Sequence, residues 1–452
     1  MSNKILLAIE PSSSLVCRVK KEALPNNIRT EFMRDRDRVL YSEPFRRLAS
    51  KTQVYSVGNG DHMRTRLTHT LEVSQIARTI SAALNLNCDL TEAIALGHDI
   101  GHTPFGHVGE RTLHSIMTPH ANHIINGCPF DNNPLHHIEE YGFKHNLHGV
   151  KVAYSSSLNL TNYTLYGIQV HSKLKYDNNQ ADFFELGYYQ HFQDQLKTPK
   201  GNDAWSLEAY VVSMADEIAQ RHHDLEDAIL GRIITKKEVN SIIDEHFPKC
   251  RPPKLDDSLD DASYKTTLSS FIVNFLVEKL IDSSKTNILK FQKDNNAEEN
   301  LSHIFEQNFD RDFLSKIISY DDEFKGKEAE FSTEISTHVL SSYDIQVSDA
   351  KGAYVVKKLF EAFYMSPKQL PDNSIISYLL RKPESKFNGS FNSLNKLRLD
   401  KGIGYLRRMF NDNYDSGSTA DNILLMRVIC DHIAGMTDNY ALETYRKLYS
   451  II

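Results

Sequence analysis

The order of apolar and polar residues along the chain reads mostly as helix. Val73, Ile76, Ile80 and Leu84 recur at intervals of three and four, so residues 68–84 are expected to form an amphipathic helix. Asp89, with Glu92 three residues on, has the form of a capping box and predicts a short helix to about residue 99. Gly101, Pro104 and Gly106 interrupt the pattern, and a new helix is expected from near Val108. A longer one follows Ser206, where Val211, Ala215, Ile218, Leu225 and Ile229 make an apolar face. Residues 353–364 and 421–450 read as further helices. Strand signals are few: the segment 150–175 mixes alternation with β-branched residues and predicts a helical start followed by a hairpin.

Polar breaks fall at 251–263, 381–395 and 411–420, and no internal repeat is visible. The pattern implies a mainly α chain with at most a small β-hairpin. Its expected organisation is an N-terminal extension over 1–30, a catalytic core over 31–235, and a helical region over 236–452 packed on that core. A chain of 452 residues can bury one large core or several smaller ones.

Composition narrows the class. No run of about 18 apolar residues is present, which excludes a membrane-spanning helix. The opening MSNKILLAIEPSS has too short an apolar patch for a signal peptide, so a cytoplasmic protein is expected. Five scattered cysteines form no CxxC pair and argue against a cysteine zinc site. The net charge of −7 disfavours a general polyanion binder. Between Arg34 and Arg66, however, eight basic residues face four acidic ones. Such a local basic region suits a phosphate pocket, although solvated ion pairs would give the same count.

The chemistry concentrates in GHDIGHTPFGHVGE, residues 97–110, which holds His98, Asp99, His102, His107 and Glu110. His69 lies near the start of the preceding helix and Asp216 inside a later one. Imidazoles and carboxylates from these three helices suit Mn²⁺, Fe²⁺, Zn²⁺ or Mg²⁺. Each residue alone also fits a plain role, as a structural histidine or a solvated carboxylate. The conjunction of His98-Asp99 with G-H-x-P-F-G-H and an upstream R-x-x-H favours the metal centre. His107 and Glu110 lie three apart, on one face of a helix that starts there; the pair could transfer a proton or be a surface ion pair.

These blocks resemble the HD-domain deoxynucleoside triphosphate triphosphohydrolases, the bacterial dGTPase-like family. The resemblance runs through FRRLASKTQV (45–54), RTRLTHTLEVSQIAR (64–78), LGHDIGHTPFGHVGE (96–110), FKHN (143–146), ADEIAQRHHDLEDA (215–228), VVKKLFEAF (355–363) and RVICDHIAGMTDNYAL (427–442). It implies an HD-domain helical core with additional C-terminal helices. The implied reaction is attack of water on the α-phosphorus of a dNTP, giving a deoxynucleoside and tripolyphosphate. By the same resemblance His69, His98, Asp99 and Asp216 are metal ligands, and His107 with Glu110 the catalytic pair. His102 and His145 are implied beside the α-phosphate, Arg66 on the triphosphate, and Gln53 and Asp224 on the sugar 3′-hydroxyl. Gln220 shares the face of Asp216 and Asp224. It stands where relatives commonly carry a tyrosine touching phosphate or sugar, so it keeps a hydrogen-bonding group and loses the ring. Asn439 replaces a commonly basic residue.

The implied cofactor is Mg²⁺ or Mn²⁺, with Fe²⁺, Zn²⁺ or Ni²⁺ also compatible. The implied partners are a dNTP substrate, a dNTP activator and further copies of the chain, in a hexamer or a dimer-based assembly. Two other readings compete: an HD phosphohydrolase acting on a cyclic dinucleotide, (p)ppGpp or another nucleotide, and an idle HD protein that senses dNTPs or binds single-stranded DNA. The Gln53, Arg66 and C-terminal blocks disfavour the first, and the complete ligand set disfavours the second.

Overall fold

A computed structural model of the chain describes residues 4–22, 28–52, 64–117, 142–172, 192–382, 396, 400–402 and 404–449. Among them there are helices and three isolated bridges (Arg18–Thr161, Thr52–Thr65 and Lys197–Asp203) but no strand.

The first half contains α1 (Glu31–Leu40), α2 (Glu43–Arg47), α3 (Arg66–Ala83), α4 (Cys88–Gly97), α5 (Gly106–Ile116), α6 (His145–Ser155), α7 (Asn162–Val170) and α8 (Leu207–Leu230). Then follow α9 (Lys236–His246), α10 (Asp261–Asp294), α11 (Ala297–Phe305), α12 (Arg311–Ser315), α13 (Asp322–Leu340), α14 (Tyr343–Met365), α15 (Asp372–Arg381), α16 (Gly404–Asn413), α17 (Thr419–Ala434) and α18 (Asp438–Tyr449).

Several boundaries correct the sequence reading. The cap of α4 is Asn87, whose side chain accepts the N–H groups of Asp89 and Leu90, so Asp89 lies inside the first turn. The expected hairpin is absent from 150–172, which forms α6 and α7 instead. Thr161 caps α7, and Gly167 brings that helix against α4, where a Cβ would stand 2.4 Å from Ile94 Cδ1. Tertiary packing here overrides the β-branched preference of the segment. The expected single helix over 421–450 is two. Gly435 ends α17, and the Thr437 hydroxyl accepts the Tyr440 N–H at 3.3 Å in the first turn of α18.

Two apolar cores result. The larger joins Ile5, Leu7 and Ile9 to α1, α3, α4, α6, α7 and α8, and continues through Leu268 and Leu276 of α10 to Phe331 of α13. The second gathers α14, α15 and α17 around Leu113 and Ile116 of α5 and Phe143. Thus α5 faces the C-terminal helices with its apolar side while its polar side reaches the histidine-rich turn. Among the described residues no helix is long and apolar enough to cross a membrane.

Candidate metal centre and catalytic site

Three helices set the centre. Thr65 caps α3, and His69 follows one turn in, fully buried. His98 is the C-cap of α4, with Asp99 next in the turn. Asp216 projects from the middle of α8. His69 Nε2 lies 2.9 Å from Asp216 Oδ1, and His98 Nε2 lies 3.9 Å from the same oxygen and 3.8 Å from Asp99 Oδ1.

The His98 tautomer follows from its surroundings. Nδ1 stands 2.6 Å from the Ala95 carbonyl, so it carries the proton and donates it there. Nε2 is left with a lone pair, buried and without a hydrogen-bond partner. A buried polar atom of this kind calls for a ligand. His69, His98 and Asp99 offer atoms within 4.8 Å of one another. Nitrogen and carboxylate donors of this set fit a divalent cation.

Both carboxylates favour the ionised form. Burial works against ionisation of Asp99, but the Arg66 guanidinium, 2.6 Å away, outweighs it and holds the acid well below its usual range. For Asp216, burial is likewise outweighed by the hydrogen bond from His69.

The turn after Asp99 brings in the second group. A Cβ on Gly101 would stand 2.2 Å from the backbone nitrogen of Gly149, so only glycine lets this turn lie against α6. His102 and His145 consequently stack with ring centroids 4.5 Å apart. His102 Nδ1 accepts the Thr103 N–H at 3.1 Å, while its buried Nε2 has no partner. Burial, with the Arg66 charge adding to it, pushes the His102 pKa well below the usual imidazole value. His102 is therefore neutral, with its proton on Nε2.

Buried Glu110 accepts the backbone N–H of His145 at 3.2 Å and faces its Nδ1 at 3.1 Å. Its other oxygen lies 3.5 Å from Nδ1 of His107, whose side chain is 55% exposed. Burial opposes ionisation of Glu110 but is outweighed by the flanking imidazoles, above all His145. His145 Nε2 lies 3.1 Å from Nε2 of His171, and His171 Nδ1 donates to the Ile168 carbonyl at 2.7 Å. Both ring nitrogens of His145 thus face acceptors.

The structure therefore brings together His69, His98, Asp99, Asp216, Arg66, His102, His107, Glu110 and His145. Asp224 is buried two turns beyond Asp216 on α8, with partly buried Gln220 between them. Burial pushes the Asp224 pKa up to about 7. Gln53 lies outside the described residues. Asn439 is exposed in the first turn of α18.

Sequence reasoning missed three supports. His171 seats His145, but it lies in a segment read as a hairpin. Buried Lys51 donates to the carbonyls of His102 and Ala434, joining the turn to the end of α17. Asp438 accepts the Thr52 N–H at 3.0 Å and the Phe105 N–H at 3.0 Å. Nothing in the spacing of the sequence signals these long-range bonds.

A buried imidazole–carboxylate centre held by three helices, with His98-Asp99 at a helix end, defines an HD-domain phosphohydrolase. Residues 66–155 match the HD domain, and residues 395–447 match the phosphohydrolase-associated domain. The chain is 31% identical over 438 residues to the deoxyguanosinetriphosphate triphosphohydrolase-like protein of Rickettsia bellii, covering 95% of this chain and 94% of that protein. A protein of the same name from Thiobacillus denitrificans is 31% identical over 450 residues, covering 97% and 96%. The chain belongs to this family of dGTP triphosphohydrolase-like phosphohydrolases.

Proposed function

We propose that this protein hydrolyses deoxynucleoside triphosphates at the α-phosphorus, releasing the deoxynucleoside and tripolyphosphate. One observation carries the reading: the donor set of His69, His98, Asp99 and Asp216 adjoins a neutral His102 and a buried Glu110 that holds exposed His107.

In this reading those four residues would hold a divalent cation, Mg²⁺ or Mn²⁺, which would supply Lewis-acid charge stabilisation. The chain's own groups do the rest. His102 Nε2–H donates to a nonbridging α-phosphate oxygen, where negative charge grows in the transition state. His107, oriented by Glu110, delivers a proton to the departing 5′-oxygen and is reprotonated from solvent, into which the attacking water releases its own proton. His145, held between Glu110 and His171, keeps that carboxylate in place. Arg66 contributes positive charge to the triphosphate side and orients Asp99. Asp224 and Gln53 take the 3′-hydroxyl, with Gln220 alongside. A sugar fixed there leaves a ribose 2′-hydroxyl clashing or unpaired, which selects deoxyribose.

The names of the relatives support dGTP as the first substrate to test. The test is incubation with each of the four dNTPs, singly and in mixtures, with Mg²⁺ or Mn²⁺, followed by chromatographic identification of products. Deoxynucleoside plus tripolyphosphate supports the reading, and faster turnover in mixtures adds an activating nucleotide. Turnover of cyclic dinucleotides or (p)ppGpp with none of any dNTP overturns it.

A further inference from the structure

We propose that Glu72, His222 and His223 form a second divalent-metal site, separate from the centre at His69, His98, Asp99 and Asp216. The three offer one carboxylate oxygen and two imidazole nitrogens within 4.8 Å of one another. Glu72 lies one helical turn beyond His69 on α3, and His223 two turns beyond Asp216 on α8. The site therefore joins the same two helices as the first centre, farther along them.

Three observations point to a ligand. First, His222 and His223 are consecutive on a helix, where neighbouring side chains diverge by about 100°. Both rings nevertheless turn their Nε2 atoms onto the same Glu72 oxygen, His222 at 3.3 Å and His223 closer, with centroids 4.1 Å apart. Second, this approach of imidazole Nε2 to a carboxylate oxygen repeats the His69–Asp216 pairing in the first centre. Third, among the described residues Glu72 has no lysine or arginine partner. The nearby Arg64 pairs instead with Glu226 and Asp227. The Glu72 side chain is 40% exposed, which leaves a route for a cation and room for water ligands.

Two imidazoles and one carboxylate form a donor set common at manganese, iron and zinc. A cation here would tie α3 to α8 directly behind the first centre, because the His223 ring lies 5.3 Å from that of His69. It would hold the two helices in the register that sets His69 against Asp216.

The test counts metal. Full-length protein is stripped with a chelator, reloaded with Mn²⁺ or separately Zn²⁺, desalted, and measured by inductively coupled plasma mass spectrometry. The wild type is expected to retain two equivalents per chain with at least one of the ions. Glu72→Gln and His222→Ala should each lose one of them, Asp99→Ala should lose the other, and Asp99→Ala combined with Glu72→Gln should retain none. Circular dichroism checks folding; Glu72→Gln, which keeps the size of the side chain, carries the test if His222→Ala unfolds. A wild type that holds one equivalent, lost in Asp99→Ala and kept in Glu72→Gln, shows a hydrogen-bonded cluster only. That result overturns the second site and leaves the first intact.

Discussion

Asp438 Oδ1, at the first residue of α18, accepts the backbone N–H of Phe105 at 3.0 Å. Phe105 lies in the left-handed region at φ 60°, an uncommon place for a bulky residue, directly before α5 with His107 and Glu110. The other Asp438 oxygen takes the N–H of Thr52 at 3.0 Å and its hydroxyl at 2.5 Å. The C-terminal helices thus fix the turn that leads into His107 and Glu110.

Asp438→Ala should consequently leave three donors without their acceptor and let Phe105 relax. The expected destabilisation is on the order of 3 kcal/mol, read as a lower midpoint in urea. Activity should fall further than metal content, because the turn moves more than the ligands do. An unchanged midpoint would show that the bridge does not hold the turn.

Replacing Gly101 is predicted to be more disruptive than its surface-free chemistry implies. In Gly101→Ala the new methyl group meets backbone, not a flexible side chain, at 2.2 Å from both Gly149 N and His145 O. The turn must lift off α6, separating His102 from His145. Overpacking costs of roughly 1–3 kcal/mol are a floor for such a clash. Thermal unfolding with far-ultraviolet circular dichroism measures it, and a variant as stable as wild type would contradict the packing described.

His107→Ala should separate proton transfer from metal binding. The side chain is exposed and is not one of the four proposed donors His69, His98, Asp99 and Asp216, so metal bound at that centre should stay at the wild-type level. If the residue protonates the departing oxygen, kcat should drop roughly 10²–10⁴-fold. A fall confined to KM would instead assign His107 to substrate binding.

Glu208, about two turns before Asp216 on α8, gives a pH signature of its own. Its carboxyl group is fully buried and accepts the N–H groups of Ile9 at 3.1 Å and Asn87 at 2.9 Å. Burial pushes its pKa up to about 7, above the ordinary glutamate value of 4.5. Between those values the folded chain holds a proton that the unfolded chain has released, so stability from this group falls as pH rises through the window. Glu208→Gln keeps the acceptor and removes the charge. It should be progressively more stable than wild type from pH 5 to pH 8, by up to about 3 kcal/mol. Parallel denaturation midpoints for the two proteins across that range would refute the assignment.

The helical class and most of the histidine-rich centre could be read from the sequence because both rest on local signals. His98-Asp99 followed by glycines and proline marks a helix end, and the spacing of His107 and Glu110 marks one helix face. Asp216, Gln220 and Asp224 share a face by simple periodicity. What could not be read is long-range or set by packing. The segment 150–175 looked like a helical start followed by a hairpin because Val150, Val152 and the threonines carry β preference, whereas Gly101, Gly149 and Gly167 allow the close packing of α6 and α7 that decides the matter. His171 went unnoticed for that reason. The partners of Asp438 lie hundreds of residues away, beyond any local pattern.

The central claim is attack of water on the α-phosphorus with release of the 5′-oxygen, and it is tested most directly by turning over dGTP with Mn²⁺ in ¹⁸O-labelled water. Phosphorus NMR and mass spectrometry should find the label in tripolyphosphate and none in the deoxyguanosine released. Formation of dGMP with pyrophosphate, or of dGDP with orthophosphate, would contradict the account.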